Sequence, residues 1–167
     1  IQHAEVSLKI LFNDIEQPVN PLKFSNTSLS LIYKDLKKMT ITYNTNPLKP
    51  FQENYVIQGT NGAQAIVLKL ISGSVLLIRH LNTQQFNQNE IITTTDINNT
   101  VVGEGQVLSV EIMEPANIQL HGDFTTETLC GYFNAKMALH YFKLEYLTNQ
   151  YKFRLTNKFN VDFTLIS

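Results

Sequence analysis

Tyr151-Lys-Phe-Arg-Leu-Thr-Asn-Lys-Phe-Asn-Val-Asp-Phe-Thr-Leu165 is the most regular stretch of the chain. Tyr151, Phe153, Leu155, Phe159, Val161, Phe163 and Leu165 share one parity, broken only at Asn157. Lys152, Arg154, Thr156, Lys158, Asn160, Asp162 and Thr164 hold the other. Successive side chains of a β-strand point to opposite faces, so this pattern predicts a strand over 151–166 with one apolar and one wet face. Such a strand must lie across an apolar groove, because an exposed one is an aggregation site.

The same period of two recurs along the chain. Ala4, Val6, Leu8, Ile10 and Phe12 alternate with Glu5, Ser7, Lys9 and Leu11, which predicts a first strand over 1–12. Pro18 and Pro21 force a loop after it. Short strands are expected at 29–33, 39–43, 55–59 and 65–70, with Asn61-Gly62 as a hairpin turn because both residues tolerate positive φ. More follow at 71–81, 90–95, 106–114 and 118–120. Residues 131–144 read as a strand as well: Met137 and Tyr141 stand at helical spacing, but Phe133, Ala135, Met137, Leu139 and Tyr141 alternate. Many short strands with turn signals between them predict an all-β sandwich, and no linker or repeat divides residues 1–167 into more than one domain.

Charged residues make up 16% of the 167 residues, against a usual share of about 25%. Asn, Thr, Gln and Ser supply the polar surface, as in Asn98-Asn99-Thr100, Thr93-Thr94-Thr95 and Gln84-Gln85. Neutral amide and hydroxyl surfaces suit a β-protein exposed outside the cell. The formal net charge is −1 and the basic residues do not gather beyond Lys34, Lys37 and Lys38. Neither a nucleic-acid partner nor a polybasic membrane anchor is expected. No apolar run is long enough to span a bilayer. The start Ile1-Gln2-His3-Ala4 reads either as a mature product after signal-peptide removal or as a trimmed chain.

Chemistry-bearing residues are sparse. Cys130 is the single cysteine, so the fold rests on its core, and the residue reads as a small buried hydrophobe. His3, His80, His121 and His140 lack ligand spacing, and neither a metal nor another cofactor is expected. His121 and Asp123 make a catalytic pair in principle, but Gly122-Asp123 reads more simply as a turn. Gly103-Glu104-Gly105 lacks the third glycine and following helix of a phosphate loop and reads as a hairpin turn. Asn26-Thr27-Ser28 and Asn98-Asn99-Thr100 match the N-glycosylation pattern, as chance matches would in so Asn- and Thr-rich a chain. Tyr33, Tyr43, Tyr55, Phe124 and Tyr132 either line a sugar site or, more commonly, pack into the core. With no acid–base or nucleophile constellation in view, an enzyme is not expected.

Several motifs, taken in order, resemble one family. Met39-Thr-Ile-Thr-Tyr43, Pro47 through Phe51, Tyr55-Val-Ile57, Thr60-Asn61-Gly62 and Ala65-Ile-Val-Leu-Lys-Leu70 resemble the pilins of alpha-type chaperone–usher fimbriae, the group of colonisation-factor and common-pilus pilins. Gly105-Gln-Val-Leu-Ser109 and Gly131-Tyr-Phe-Asn-Ala-Lys-Met-Ala-Leu139 are similar to later stretches of that family. The resemblance implies an immunoglobulin-like sandwich lacking one strand, completed by the N-terminal strand of a neighbouring subunit. It implies residues 1–12 as the donor segment, with Ala4, Val6, Leu8, Ile10 and Phe12 inserted, 13–146 as the sandwich body, and cell-surface fimbriae as the location. The implied partners are neighbouring pilin subunits, a periplasmic chaperone and an usher, with a host receptor or glycan beyond them. An ordinary first strand pairing within its own sandwich is the alternative reading of 1–12. Another class of function stands beside the fimbrial one: a lectin-like or secretion-associated extracellular or periplasmic binding module. Cys130 and the continuation through 147–167 depart from the pilin pattern. Residues 151–167 are then expected to fill the chain's own groove through Phe153, Leu155, Phe159, Val161, Phe163 and Leu165, as a native strand or a fused donor strand.

Overall fold

The computed structural model describes the backbone of residues 3–7 and residues 22–150 and 152–167 in full. The architecture is all-β, with twelve strands and one α-helix among the described residues. The sequence reading treats 1–167 as one sandwich. The fold divides into two compact units, Ile1–Lys34 with Glu114–Ser167 as unit 1, and Asp35–Met113 as unit 2. No composition shift marks the boundary, because both crossings fall within a residue or two of strands.

Unit 2 is a closed barrel of six antiparallel strands: β3 (Lys37–Thr42), β4 (Val56–Gly59), β5 (Gln64–Ser72), β6 (Val75–His80), β7 (Ile91–Thr95) and β8 (Val101–Ile112), in the order β3-β6-β5-β4-β7-β8. Alternation places the core. In β3, Met39 and Ile41 are buried while Lys38, Thr40 and Thr42 face outward. Phe51, Ile57, Ala65, Val67, Leu76, Ile78, Ile92 and Val107 join them inside. Closure leaves none of these six strands with a bare edge.

Gly103 and Gly105 lie inside β8, not at a turn. The hairpin tip falls earlier, at 96–100. The physical reason is the Phe51 ring. A Cβ on Gly103 would sit 2.8 Å from Phe51 Cδ1, and one on Gly105 would sit 3.0 Å from the Thr42 carbonyl. Glycine in a strand marks such a close approach.

Unit 1 pairs two three-stranded antiparallel sheets. One runs β1 (His3–Ser7), β11 (Lys152–Asn157), β10 (Phe142–Leu147). The other runs β12 (Phe163–Ile166), β2 (Leu22–Tyr33), β9 (Ala116–Phe124). The strand expected over 151–166 is thus two strands in different sheets. Asn157, the residue that broke the parity, makes the bend. Its side chain is 5% exposed, its Oδ1 accepts from the amides of Phe159 and Val161 at 3.1 Å each, and its Nδ2 donates to the Val161 carbonyl at 2.8 Å. A buried amide with both ends satisfied fixes a turn that period-two counting reads straight through.

The expected strand over 131–144 is replaced by α1 (Thr126–Met137), a 3-10 turn (Ala138–His140) and β10. Thr125 caps α1: its Oγ1 accepts from the Thr128 amide at 3.0 Å, while Thr128 Oγ1 accepts from the Thr125 amide at 2.8 Å. Leu129, Phe133 and Met137, each four apart, are the buried positions. Ala135 and Leu139, which made the alternation, are exposed, Leu139 at 86%. Helical spacing therefore outranks the alternation here.

The helix also guards sheet edges. Asn134 Oδ1 accepts from the Leu144 amide at 2.7 Å and its Nδ2 donates to the Leu144 carbonyl at 3.1 Å, so one carboxamide stands in for a neighbouring strand on β10. The Tyr132 hydroxyl donates to the Gln119 carbonyl on β9 at 2.9 Å. Tyr33 stacks on Phe142 with ring centroids 4.7 Å apart and donates its hydroxyl to the His140 carbonyl.

Two alanine substitutions separate these features. Gly103→Ala is expected to cost on the order of 1–3 kcal/mol, since the buried Phe51 ring must move. Gly131→Ala, in open space on α1, is expected to stabilise by about 0.5–1 kcal/mol. Urea unfolding of the two variants checks both signs.

Candidate functional site

The most organised polar surface belongs to the 81–90 loop of unit 2, folded over the Asn61-Gly62 hairpin. Gly62 takes φ +93°, but Asn61 does not lie at positive φ. Gly59 exchanges hydrogen bonds with Gly62 and Ala63, so the turn is longer than the two-residue type that the Asn-Gly pair signals. Asn61 holds the turn from inside and outside: its Oδ1 accepts from the Ala63 amide at 2.9 Å, and its Nδ2 donates to the Gln85 carbonyl at 2.7 Å. Asn82 ties the other limb, with Nδ2 donating to the Gly62 carbonyl at 2.9 Å and Oδ1 accepting from the amides of Gln64 and Gln84.

Glu90 is the nail under the loop. It is 7% exposed, and its carboxylate accepts from the Asn87 amide at 2.8 Å and the Asn61 amide at 3.0 Å. Hydrogen bonds to a carboxylate are the strong kind, and they compensate burial of its charge. The carboxylate needs the space beside Gly59, where an added Cβ would lie 2.0 Å from Glu90 Oε2. The Asn89 amide donates to the Val107 carbonyl at 2.7 Å, and Lys37 Nζ donates to Gln85 Oε1 at 2.7 Å. The loop is thereby held at both ends and in the middle. Outward it presents Thr83, Gln84, Gln85, Asn87 and Gln88, all exposed and all neutral. A pre-ordered row of amides can donate and accept hydrogen bonds to a hydroxyl-rich or amide-bearing ligand at low entropic cost.

His80 and Asp35 form a pair that sequence spacing does not reveal, with Nδ1 and Oδ1 3.3 Å apart across 45 positions. The imidazole packs beside Phe86, its side chain is 5% exposed, and Nε2 is enclosed without a hydrogen-bond partner. A general base must reach its substrate, and this nitrogen faces protein. The pair ties Asp35 to the end of β6, at the root of the loop.

The residues singled out from the sequence scatter. Ala4 and Val6 lie on β1 opposite Leu155 and Phe153 of the same chain, while Leu8, Ile10 and Phe12 lie outside the described residues. Phe153, Leu155 and Val161 are buried; Phe159, Phe163 and Leu165 are half-buried. Leu165 and Leu155 join Leu29, Leu120, Leu129, Phe133 and Leu144 around a small, wholly apolar cleft between the two sheets and α1. His121 and Asp123 sit two apart on β9. His121 Nδ1 accepts from the Asn26 amide at 3.2 Å, and Gly122 at φ +102° lies where the β2–β9 register shifts, so the site is a bulge within paired strands and not a turn. The aromatic candidates are packed: Tyr43 against Phe51, Phe124 between Phe24 and Tyr132, Tyr33 on Phe142, and Tyr55 against the barrel core. Among the described residues no three His, Cys, Asp or Glu side chains converge as metal ligands, and no helix is long and apolar enough to cross a membrane.

Cys130 is half-buried on α1, and its thiol is pushed up from 9.0 to about 11 by burial first and by the Glu145 carboxylate second. A thiol so raised is protonated at neutral pH and is a poor nucleophile.

No family model, curated protein or solved structure matches the chain.

Two outcomes follow from this geometry. Glu90→Ala strands two amides, and a loss on the order of 1–3 kcal/mol for each is expected in chemical unfolding, with faster hydrogen exchange at Asn61 and Asn87. For Cys130 the folded pKa lies above the unfolded one, so its contribution is complete below pH 9.0 and is lost as the pH rises from there through about 11. Alkylation of native protein should accordingly be slow at pH 8 and accelerate toward pH 11, and Cys130→Ser should flatten the fall in stability over that window.

Proposed function

We propose that the chain is a non-catalytic binding module, surface-exposed or facing the periplasm, that presents the amide-rich 81–90 loop to a neutral, hydroxyl-rich ligand such as a glycan. The observation that carries this reading is the pairing of β1 with β11 inside one chain, from His3↔Thr156 to Ser7↔Lys152. A subunit that polymerises by lending its first strand needs that strand in a neighbour. A strand retained at home supports a module that completes its own fold and works through its loops. The scarcity of charge and the wealth of Asn, Gln, Thr and Ser favour an extracellular setting.

The fimbrial-subunit reading stands second, and one observation favours it. Among the described residues β1 has a neighbour on one side only, so exchange between copies needs only the β1–β11 ladder to break. In that reading the partners are further subunits with a periplasmic chaperone and an usher.

Light scattering separates the two. The binding-module reading expects the full chain to stay monomeric after refolding at high concentration, and a chain lacking residues 1–12 to melt several degrees lower while still monomeric. Refolded protein that forms detergent-resistant ladders, lost on removing 1–12, overturns it in favour of the fimbrial subunit. On a panel of neutral oligosaccharides, replacing Gln84 and Gln85 together with alanine should abolish whatever binding the full chain shows.

A further inference from the structure

The hairpin between β7 and β8 carries an unusual side chain. Ile97 is 98% exposed, the most open large hydrophobe among the described residues. Flexibility does not account for it. Asp96 Oδ1 accepts from the amides of Asn98 and Thr100 at 2.9 Å each, the Asp96 amide donates to the Thr100 carbonyl at 2.9 Å, and the Asn99 amide donates to the Asp96 carbonyl at 3.0 Å. Asn99 takes φ +61°, which an asparagine tolerates. The tip is a rigid bracket that holds one isoleucine in water.

The next residue opens the tripeptide Asn98-Asn99-Thr100. Asn98 and Thr100 are exposed, and neither the Asn98 carboxamide nor the Thr100 hydroxyl makes a hydrogen bond among the described residues. At Asn26-Thr27-Ser28 the circumstances differ: that asparagine sits in the β2 bulge at φ +47°, and the Ser28 hydroxyl is engaged with Gln119 Oε1 at 3.3 Å. The tripeptide pattern alone matches by chance in such a chain. A free amide, a free hydroxyl two residues on, and an uncovered apolar side chain on one rigid tip are a more specific combination.

We propose that Asn98 is an N-glycosylation acceptor and that the first sugar of the attached glycan covers Ile97. In the transfer, Asn98 Nδ2 forms a bond to C1 of an oligosaccharide carried on a lipid diphosphate. The C1–O bond to the diphosphate breaks, the lipid diphosphate leaves with the electron pair, and Nδ2 gives up one proton to a base of the transferase. The sugar's apolar face and acetyl group then remove the Ile97 side chain from water, the usual driving force for covering an exposed hydrophobe. Folding is undisturbed, because every hydrogen bond of the tip uses backbone groups and Asp96 alone. The inference rests on the surface-exposed reading above for the chain to meet such a transferase in nature.

The test directs the full chain through the secretory pathway of a eukaryotic cell and reads the tip peptide by mass spectrometry. Asn98 should be occupied, the mass should fall on treatment with a peptide N-glycosidase, Asn98→Gln and Thr100→Val should abolish it, and Thr100→Ser should retain it. An unoccupied Asn98 in secreted, folded protein overturns the proposal. So does occupancy without a nuclear Overhauser contact between the Ile97 methyls and the sugar, since the covering role then fails. Protein from the natural source bears separately on the surface-exposed reading: an unmodified natural chain beside a modified secreted one places the fault there and not in the acceptor.

Discussion

The antiparallel pairing of β3 with β8 is the constraint on which the chain's organisation depends. It sets Lys37 opposite Ile112, and paired positions in such a ladder have Cα atoms about 5 Å apart. Unit 2 therefore begins and ends at one place. Unit 1 exploits this: β2 ends at Tyr33, β9 begins at Ala116, and Leu31 pairs with Ala116. The β2–β9 pair is an ordinary antiparallel hairpin whose connecting loop has become an entire barrel. Insertions are tolerated where the inserted piece brings its own ends together.

Each unit then solves its edge problem differently. The barrel closes, so its strands protect one another. The sandwich stays open, and α1 covers β9 and β10 with side chains, the Asn134 carboxamide imitating a strand at Leu144. Closure also creates the platform for the 81–90 loop, because β6 and β7 hold its two ends while β4 and β5 supply the turn beneath it. The loop's rigidity comes from the buried Glu90 carboxylate, which accepts from the backbone amides of Asn61 and Asn87.

The alternation of side chains was a sound guide to strands and a poor one to their partners. Met39 and Ile41, Ala65 and Val67, or Leu29 and Leu31 show which face is buried, since burial and period coincide. Three features escaped it. Asn157 turns the chain through side-chain hydrogen bonds, which leave no trace in a hydrophobic pattern. Leu129, Phe133 and Met137 are a helical stripe, masked because Ala135 and Leu139 happen to restore alternation; the Thr125–Thr128 capping pair was the available signal. Gly103 is glycine because of Phe51, a neighbour 52 positions away. The candidate site was less legible still. Asn61-Gly62 announced its hairpin, but Glu90 and the Asp35–His80 pair matter only through contacts that long-range pairing creates.

The hairpin-with-a-barrel layout also dictates an order of events during synthesis. Asp35–Met113 is contiguous, so the barrel has every strand it needs once its last residue leaves the ribosome. The sandwich does not. β2 waits for β9, and β1 waits for β11. Through that interval the earliest strands are out in solution beside a finished barrel, with their backbone groups unpaired. The exposure of β1 and β2 lasts until β11 and β9 have been made, so the hazard lies in that wait and not in the barrel.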